Sequence, residues 1–260
     1  MCFFFLPFMY TLKTRLNGLS KQFYAWLFTY LFPVSMLTTY VFMCELGSTL
    51  LAIFLCVSGL FMIYNAYEVG YIFNDAEVTK KESNPTLRLS SLDLSYYEHH
   101  KVEIYLLRLA LLVFIFGVMF FFDVEIATLS LVVSVAILSV YVVYNRLRSR
   151  WNIPLYFILV YLRYFGLVSF FIDPLNCLLL VVIYPLLSVI EFSQKARFDI
   201  MMVQMLPRPD VFRLIYYIFV APVVCGFYFY MGSVNVSVVG LSIYFCIYRV
   251  FSFFVSKLFR

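Results

Sequence analysis

Long runs of apolar residues, with no acidic or basic residue near their middles, recur along this chain. A helix of about 20 such residues crosses a hydrocarbon core of about 30 Å. Of all residues, 64% are hydrophobic and only 13% are charged, which lies outside the usual range for soluble domains. We therefore predict an integral membrane protein, an all-α polytopic transmembrane helical bundle of about 8 to 9 helices.

The apolar runs divide residues 1–260, taken as a single transmembrane domain, into eight predicted spans. Their bounds are about 23–44, 49–73, 104–122, 126–145, 153–172, 175–191, 211–230 and 236–256. Residues 1–22 are apolar but short, and their basic residues follow the apolar part, so we expect an interfacial segment and not a cleaved signal peptide. Residues 74–103 and 192–210 are the two long polar connections, predicted to be cytoplasmic active-site loops.

Basic residues divide the connections into two groups, and cytoplasmic connections are the ones that carry excess Lys and Arg. One group holds Lys13, Arg15, Lys21, Lys80, Lys81, Arg88, Lys101, Arg146, Arg148, Arg150, Lys195, Arg197, Arg208, Lys257 and Arg260. The other connections contain no Lys or Arg. Both termini are thus expected to be cytoplasmic, in a bacterial inner membrane, and the net charge of +5 is attributed to topology and anionic lipid, with no nucleic acid as partner.

Three carboxylates stand seven residues apart where the second span ends: Glu68, Asp75 and Glu82. Positions seven apart fall almost on one helix face. Carboxylates at a membrane mouth are costly unless they are paired, hydrated or metal-bound, and Mg²⁺ is bound by oxygen ligands of this kind together with substrate phosphates. The alternative is a helix end that emerges into water.

A second polar cluster, Glu191 to Asp199, ends the sixth span. Its Lys195 and Arg197 are suited to phosphate oxygens. The alternative is an anchor that follows the positive-inside rule. Arg163 lies within an apolar run, where an arginine is expected to face a polar cavity or a partner, unless it reaches the interface.

The stretch "NDAEVTKKESNPTLR" resembles the first motif of the UbiA-type intramembrane prenyltransferases, N-D-x-x-D-x-x-x-D at the end of the second helix. Asn74, Asp75 and Glu82 fall in its frame, and Val78 replaces the middle aspartate. The segment that follows, with Arg88, also resembles the family.

Two further stretches carry the resemblance. "YNRLRSRWNIPLYFILVYLRYFG" is similar to the family's connection between its fourth and fifth helices and includes Arg163. "QKARFD…LPRPDVFRLIYY" resembles the branch of decaprenyl-phosphate phosphoribosyltransferases, which implies that Lys195, Arg197 and Asp199 meet the donor's phosphates.

The resemblance implies a UbiA-like fold and a Mg²⁺-dependent prenyltransferase-type enzyme, with diphosphate as leaving group and polyprenyl diphosphate or polyprenyl phosphate as lipid substrate. It implies that Asp75 and Glu82 bind the metal and are catalytic with Lys195 and Asp199. The implied substrate-binding residues are Asn74, Glu68, Arg88, Arg163 and Arg197. Two alternatives stay open: phosphoribosyl transfer from phosphoribosyl diphosphate to polyprenyl phosphate, and a non-catalytic lipid-binding membrane protein or transporter.

Overall fold

The computed structural model describes residues 2–16, 20–81, 85–147, 149–195, 198–201 and 206–258. Within these ranges every assigned element is a helix, as predicted. Numbered along the chain, the α-helices are α1 (Met9–Thr14), α2 (Lys21–Trp26), α3 (Phe32–Leu46), α4 (Thr49–Phe73), α5 (Ser91–Phe122), α6 (Val124–Arg146), α7 (Asn152–Phe165), α8 (Pro174–Ile183), α9 (Pro185–Ser193), α10 (Pro209–Met231) and α11 (Val236–Leu258).

Six of the described helical segments are long and apolar enough to cross a membrane: Lys21–Leu46, Thr49–Lys81, Ser91–Phe122, Val124–Arg146, Pro209–Met231 and Val236–Val255. A seventh crossing is formed if α8 and α9, bent by 40°, count as one span. The bend lies at Pro185, since proline cannot continue the backbone hydrogen bonding of a helix. The all-helical membrane bundle is confirmed, with six or seven candidate spans among the described residues, and the predicted number of 8 to 9 helices stays a prediction.

The predicted span 153–172 is longer than the helix that the structure shows there. Its helix, α7, has 14 residues, about 21 Å at 1.5 Å per residue, and turns follow it through residues 166–171. This length is below the roughly 30 Å of a hydrocarbon core.

Much of the predicted loop 74–103 is helical. A π-helical turn, Asn74–Val78, and a 3₁₀ turn, Thr79–Lys81, extend α4. At the other side, α5 begins at Ser91 because Ser90 and Asp93 form a capping box. This helix is kinked at His100 (φ −116°).

The N-terminal segment, residues 2–16, packs against α4 and α5. Phe4 and Tyr10 are fully buried. The Arg108 guanidinium on α5 donates hydrogen bonds to the carbonyl oxygens of Phe4 (2.9 Å) and Leu6 (3.1 Å). The bundle therefore covers a segment that its sequence predicted to lie in the interface.

Helix α4 is central and packs closely on α6. A Cβ atom added at Gly70 would overlap the ring of Tyr141, so the absence of a side chain allows this crossing. We call the end of the bundle that carries Arg15, Asn74, Arg88 and Lys195 the polar end. At the opposite end the Asn176 side chain joins two connections, since it donates to the Ser233 carbonyl (3.3 Å) and accepts from the Asn235 N–H (2.8 Å).

Candidate anion-binding site

A cavity of about 330 Å³ lies at the polar end of the bundle. Three cationic side chains line it: Arg15 from the N-terminal segment, Arg88 from the connection before α5, and Lys195 after α9. We call it the Arg88 cavity. Its other lining residues are Tyr67, Tyr71, Asn74, Thr79, Thr86, Tyr141, Tyr144, Tyr156, Leu159 and Phe192. Among the described lining residues none is acidic, so the cavity wall is positively charged and rich in hydroxyl groups.

Asp75 lies buried at the edge of this cavity and holds two of the cations in place. Its carboxylate is 2.9 Å from Arg15 Nη2 and 3.4 Å from Arg88 Nη1. It also accepts hydrogen bonds from the Tyr10 hydroxyl (2.9 Å) and the Asn74 amide (3.2 Å). Asp75 is therefore a residue that positions the two arginines side by side.

The ionisation of the N-terminal partners of Asp75 follows from their burial. Burial lowers the pKa of Arg15, but the Asp75 carboxylate together with the neighbouring Tyr71 and Tyr10 outweighs this effect and raises the pKa, so the guanidinium stays charged. Burial and the Asp75 charge raise the pKa of the Tyr10 phenol well above its usual range. The Tyr10 phenol thus stays neutral, and its hydroxyl donates a hydrogen bond to the Asp75 carboxylate.

One nitrogen of the Arg15 guanidinium takes no part in the contact with Asp75. Its Nη1 atom is buried and has no hydrogen-bond partner among the described residues. The guanidinium lies over the Tyr71 ring, 4.4 Å from its centroid. A buried donor without an acceptor costs about 1–3 kcal/mol, and an anionic oxygen in the cavity would remove this cost.

The π-helical turn Asn74–Val78 sets where the acidic side chains of the motif point. Such single wider turns occur frequently at functional sites. Asp75 faces the N-terminal segment, whereas the Glu77 carboxylate pairs with Lys101 and accepts from the Tyr97 hydroxyl (3.1 Å) on α5. Glu77, which could replace the missing aspartate only in a distorted helix end, is therefore engaged away from the cavity.

Glu68 lies deeper in the bundle and forms a separate polar cluster. It is fully buried, pairs with Arg108 (3.0 Å) and accepts a hydrogen bond from the Thr11 N–H (2.7 Å). The Asn65 amide donates to the Arg108 carbonyl (2.7 Å). This cluster fastens the N-terminal segment to α4 and α5, and Glu68 does not line the Arg88 cavity.

Arg163 lies behind the tyrosine wall of the cavity. Its guanidinium carbon is 4.2 Å, 4.7 Å and 4.9 Å from the ring centroids of Tyr30, Tyr67 and Tyr64. Nη2 donates to the Tyr64 hydroxyl (2.7 Å), and Nε is buried with no hydrogen-bond partner in the described part of the chain. Tyr67 also lines the cavity, so the predicted polar surroundings of Arg163 are aromatic faces and hydroxyls.

The structure does not bring the described members of the second predicted cluster, Glu191 to Asp199, together at one cavity. Lys195 lines the Arg88 cavity and lies over the Phe192 ring (4.4 Å). Asp199 is exposed, has a left-handed backbone (φ 50°) and does not line this cavity. Arg197, and Glu82 of the first cluster, lie outside the described residues. Their predicted roles stay predictions.

The fit of the expected Mg²⁺ rests on the carboxylates available to it. Among the described residues no three His, Cys, Asp or Glu side chains come together in a metal-binding group. The Asp75 carboxylate already has four donors, two of them cationic. The second predicted ligand, Glu82, lies outside the described residues, so the magnesium site stays a prediction.

Sequence reasoning did not identify Arg15 or Arg108 as site residues. Arg108 and Glu68 are lone charges in neighbouring apolar runs, a signal that predicts a buried pair. Arg15 had no such signal, because its position depends on the return of the N-terminal segment to α4.

Comparison of this chain with protein-family models, curated proteins and solved structures finds no match.

Proposed function

We propose that this chain is a membrane transferase that binds the phosphate or diphosphate headgroup of a polyprenyl lipid in the Arg88 cavity. The observation that carries the proposal is the convergence of Arg15, Arg88 and Lys195 on one cavity, with no acidic side chain among its described lining. Cations of this kind bind phosphate oxygens through charge-assisted hydrogen bonds. The adjoining apolar helices provide a surface along which the isoprenoid chain can lie in the lipid.

In the proposed reaction the carbon–oxygen bond between the prenyl group and its diphosphate breaks, and diphosphate leaves with the bonding electron pair. A lone pair of the acceptor forms the new bond to that carbon, and the acceptor releases a proton to water. The three cations would stabilise the negative charge that develops on diphosphate. The faces of Tyr67, Tyr71 and Tyr141 are suited to the positive charge on the carbon.

Phosphoribosyl transfer remains the first alternative. It uses the same binding groups, since phosphoribosyl diphosphate also loses diphosphate while a polyprenyl phosphate attacks the sugar carbon. Lys195 and Arg88 would contact the leaving group in either reaction.

Binding of the lipid without catalysis is favoured by a specific observation. The Asp75 carboxylate, the first acid of the motif, accepts from Tyr10, Arg15 and Arg88. Its oxygen lone pairs are thus engaged by these donors and compete poorly for a metal. A protein that only binds or moves a polyprenyl phosphate needs the cations and no metal. The magnesium implied by the family resemblance depends on Glu82 and stays a prediction.

We further propose that the polar end faces the cytoplasm of a bacterium, with both termini on that side. Support comes from the charges: Arg15, Arg88 and Lys195 lie at the polar end, and the connections at the other end, such as those at Asp123 and Asp173, contain no Lys or Arg.

The decisive assay supplies the purified chain in neutral-lipid nanodiscs, with Mg²⁺, with either donor and its acceptor, and measures diphosphate release. We expect release from one donor and a loss of about tenfold or more in Arg88→Gln, since a hydrogen bond to a charged group contributes about 1.5–3 kcal/mol. The matched control is Lys81→Gln, the same change in charge at an exposed residue that does not line the cavity.

Three other results would revise the proposal. Binding of polyprenyl phosphate without release from either donor would identify a non-catalytic protein. Equal losses in Arg88→Gln and Lys81→Gln would place the site elsewhere. Absence of both binding and release would reject a polyprenyl ligand.

A further inference from the structure

A second polar cavity, of about 160 Å³, lies between α2, α9, α10 and α11. Its lining includes Trp26, Tyr184, Ser188, Glu191, Arg213 and Arg249. We call it the Arg249 cavity. None of its lining residues lines the Arg88 cavity. The volume equals that of about five water molecules at roughly 30 Å³ each, enough for a small molecule.

The charges around the Arg249 cavity leave it positive. Glu191 is bound by Arg213 through two hydrogen bonds, from Nε (2.5 Å) and Nη2 (2.9 Å), in the fork geometry of a strong pair. That pair is neutral as a whole. Arg213 also lies 3.8 Å from Asp210, an exposed residue that does not line the cavity. Among the lining residues Arg249 is therefore the excess positive charge, and the ion pairs of the described residues include no carboxylate for it.

Two buried polar atoms at this place lack hydrogen-bond partners among the described residues. One is Nε of Arg249, and the other is the hydroxyl of Tyr217. Tyr217 stacks on Phe245, whose ring also contacts the cavity residue Tyr184, but Tyr217 does not itself line the cavity. Both groups can donate a hydrogen bond, and buried donors are nearly always paired in folded proteins. Of the two, Arg249 lines the cavity, and an anionic oxygen there would accept from it and compensate its charge.

Two aromatic residues, Trp26 and Tyr184, line the same cavity. Trp26 is fixed by a hydrogen bond from its Nε1 to the Tyr64 hydroxyl (2.9 Å), and Tyr184 stacks on Tyr164 at 4.0 Å between centroids. Tyr64 and Tyr164 belong to the cluster around Arg163. That cluster therefore lies between the two cavities, because Tyr67 on its other side lines the Arg88 cavity.

We infer that the Arg249 cavity is a binding site for a small anionic molecule, whose carboxylate or phosphate oxygens contact Arg249. A flat portion of the molecule would pack against Trp26 and Tyr184. This site is separate from the headgroup site, and its occupancy does not depend on turnover of a polyprenyl lipid. The anionic group belongs either to a soluble molecule or to a lipid headgroup.

The test uses Trp26 as a reporter. The chain has two tryptophans, and the other, Trp151, is 71% exposed and lines neither cavity. In full-length Trp151→Phe protein in phosphatidylcholine nanodiscs, we would titrate benzoate, inorganic phosphate and neutral benzamide at constant ionic strength. We expect a saturable change in Trp26 fluorescence with an anion, no saturable change with benzamide, and a dissociation constant raised about tenfold or more by Arg249→Gln.

Control variants separate binding from folding. Arg249→Lys keeps the charge and should retain most of the affinity, while Arg88→Gln should leave it unchanged. Ala25→Leu adds volume at a residue that lines the cavity and should weaken binding without a change in charge. If Arg249→Gln lowers the thermal unfolding midpoint so far that it cannot be titrated, Ala25→Leu decides.

The inference is overturned if benzamide saturates the signal as the anions do, if neither anion gives a saturable signal, or if both Arg249→Gln and Ala25→Leu bind like the parent protein. Nanodiscs that contain phosphatidate distinguish the two sources of the anionic group. Competition by phosphatidate identifies a lipid headgroup, and the absence of competition identifies a soluble anion; both results support the site.

Discussion

At the scale of single residues, the buried charges of Asp75, Glu68 and Arg108 hold the N-terminal segment against the bundle. Asp75 binds Tyr10 and Arg15, and Glu68 pairs with Arg108. An unpaired charge in a low-dielectric interior costs several kcal/mol. Each pair therefore fixes where the N-terminal segment lies, and with it the position of Arg15 in the Arg88 cavity.

The pair of Glu68 and Arg108 allows a test by double substitution. Arg108→Leu leaves the Glu68 carboxylate without its cationic partner and the carbonyls of Phe4 and Leu6 without their donor, so we expect a loss of about 3–5 kcal/mol in the free energy of unfolding. Adding Glu68→Gln should restore part of this loss, because it removes the unpaired charge. Denaturant unfolding in detergent micelles measures the free energy of unfolding of each variant. The rate of proteolysis within the N-terminal segment measures how firmly that segment is held.

A suitable control for the substitutions at Arg108 and Glu68 is Glu98→Gln, which removes a surface ion pair with Lys80. It should change the free energy of unfolding by less than about 1 kcal/mol. If Arg108→Leu and Glu98→Gln cost the same, the buried pair does not hold the segment.

Among the candidate site residues, sequence alone predicted Asn74, Asp75, Arg88 and Lys195 as members of one polar site, and all four lie at or beside the Arg88 cavity. The seven-residue spacing of the carboxylates indicated Asp75 and the charge cluster at the sixth span indicated Lys195, whereas the family resemblance implied Asn74 and Arg88. Arg15 escaped it, since its contact with Asp75 joins residues that are distant in sequence, and no local pattern encodes such a contact.

At the scale of elements, the crossing of α4 and α6 shapes the cavity wall. Gly70 on α4 leaves space for the Tyr141 ring of α6, and Tyr141 lines the Arg88 cavity. The π-helical turn begins four residues later and directs Asp75 toward Arg15 and Arg88. The close crossing at Gly70 and the π-helical turn after it therefore shape the Arg88 cavity from neighbouring positions at the end of α4.

Gly70→Ala should therefore disturb the cavity. The added methyl group overlaps the Tyr141 ring, so we expect a loss of about 1–3 kcal/mol in stability and weaker binding of polyprenyl phosphate. Thermal unfolding and ligand binding in nanodiscs measure these changes.

Gly117 on α5 provides the matched control, because a Cβ atom added there meets nothing within 4 Å. Gly117→Ala should be neutral or should stabilise slightly, since alanine favours a helix by up to about 1 kcal/mol over glycine. If Gly70→Ala behaves like Gly117→Ala, the close crossing has no role in the site.

Hydrophobicity predicted the existence of the helices better than their bounds. The predicted third span began at residue 104, but α5 begins at Ser91 because the Ser90–Asp93 capping box starts a helix in polar sequence. Apolar composition could not identify α7 as a helix of 14 residues, since the apolar run continues through the turns that follow it.

At the scale of the whole molecule, the two ends of the bundle differ in charge and in chemistry. The polar end carries the Arg88 cavity, and the opposite end is closed by short connections such as the one that Asn176 links to Asn235. Apolar runs and the distribution of Lys and Arg made this division predictable. The family resemblance rests on short motifs and stays a prediction.

Labelling of engineered cysteines tests the orientation. In a chain whose native cysteines are replaced, Lys81→Cys should react with a membrane-impermeant maleimide only from the cytoplasmic side, and Ser233→Cys only from the opposite side. Both residues are exposed. Reaction of both from one side would contradict the proposed topology.

The most direct test of the central claim is the binding of labelled polyprenyl phosphate to the purified chain in neutral-lipid nanodiscs that contain EDTA. We expect binding without added metal, and a dissociation constant about tenfold or more higher in Arg15→Gln and Arg88→Gln than in Lys81→Gln. Binding that disappears with EDTA, or that is the same in all three variants, would contradict a headgroup site formed by the cations of the Arg88 cavity.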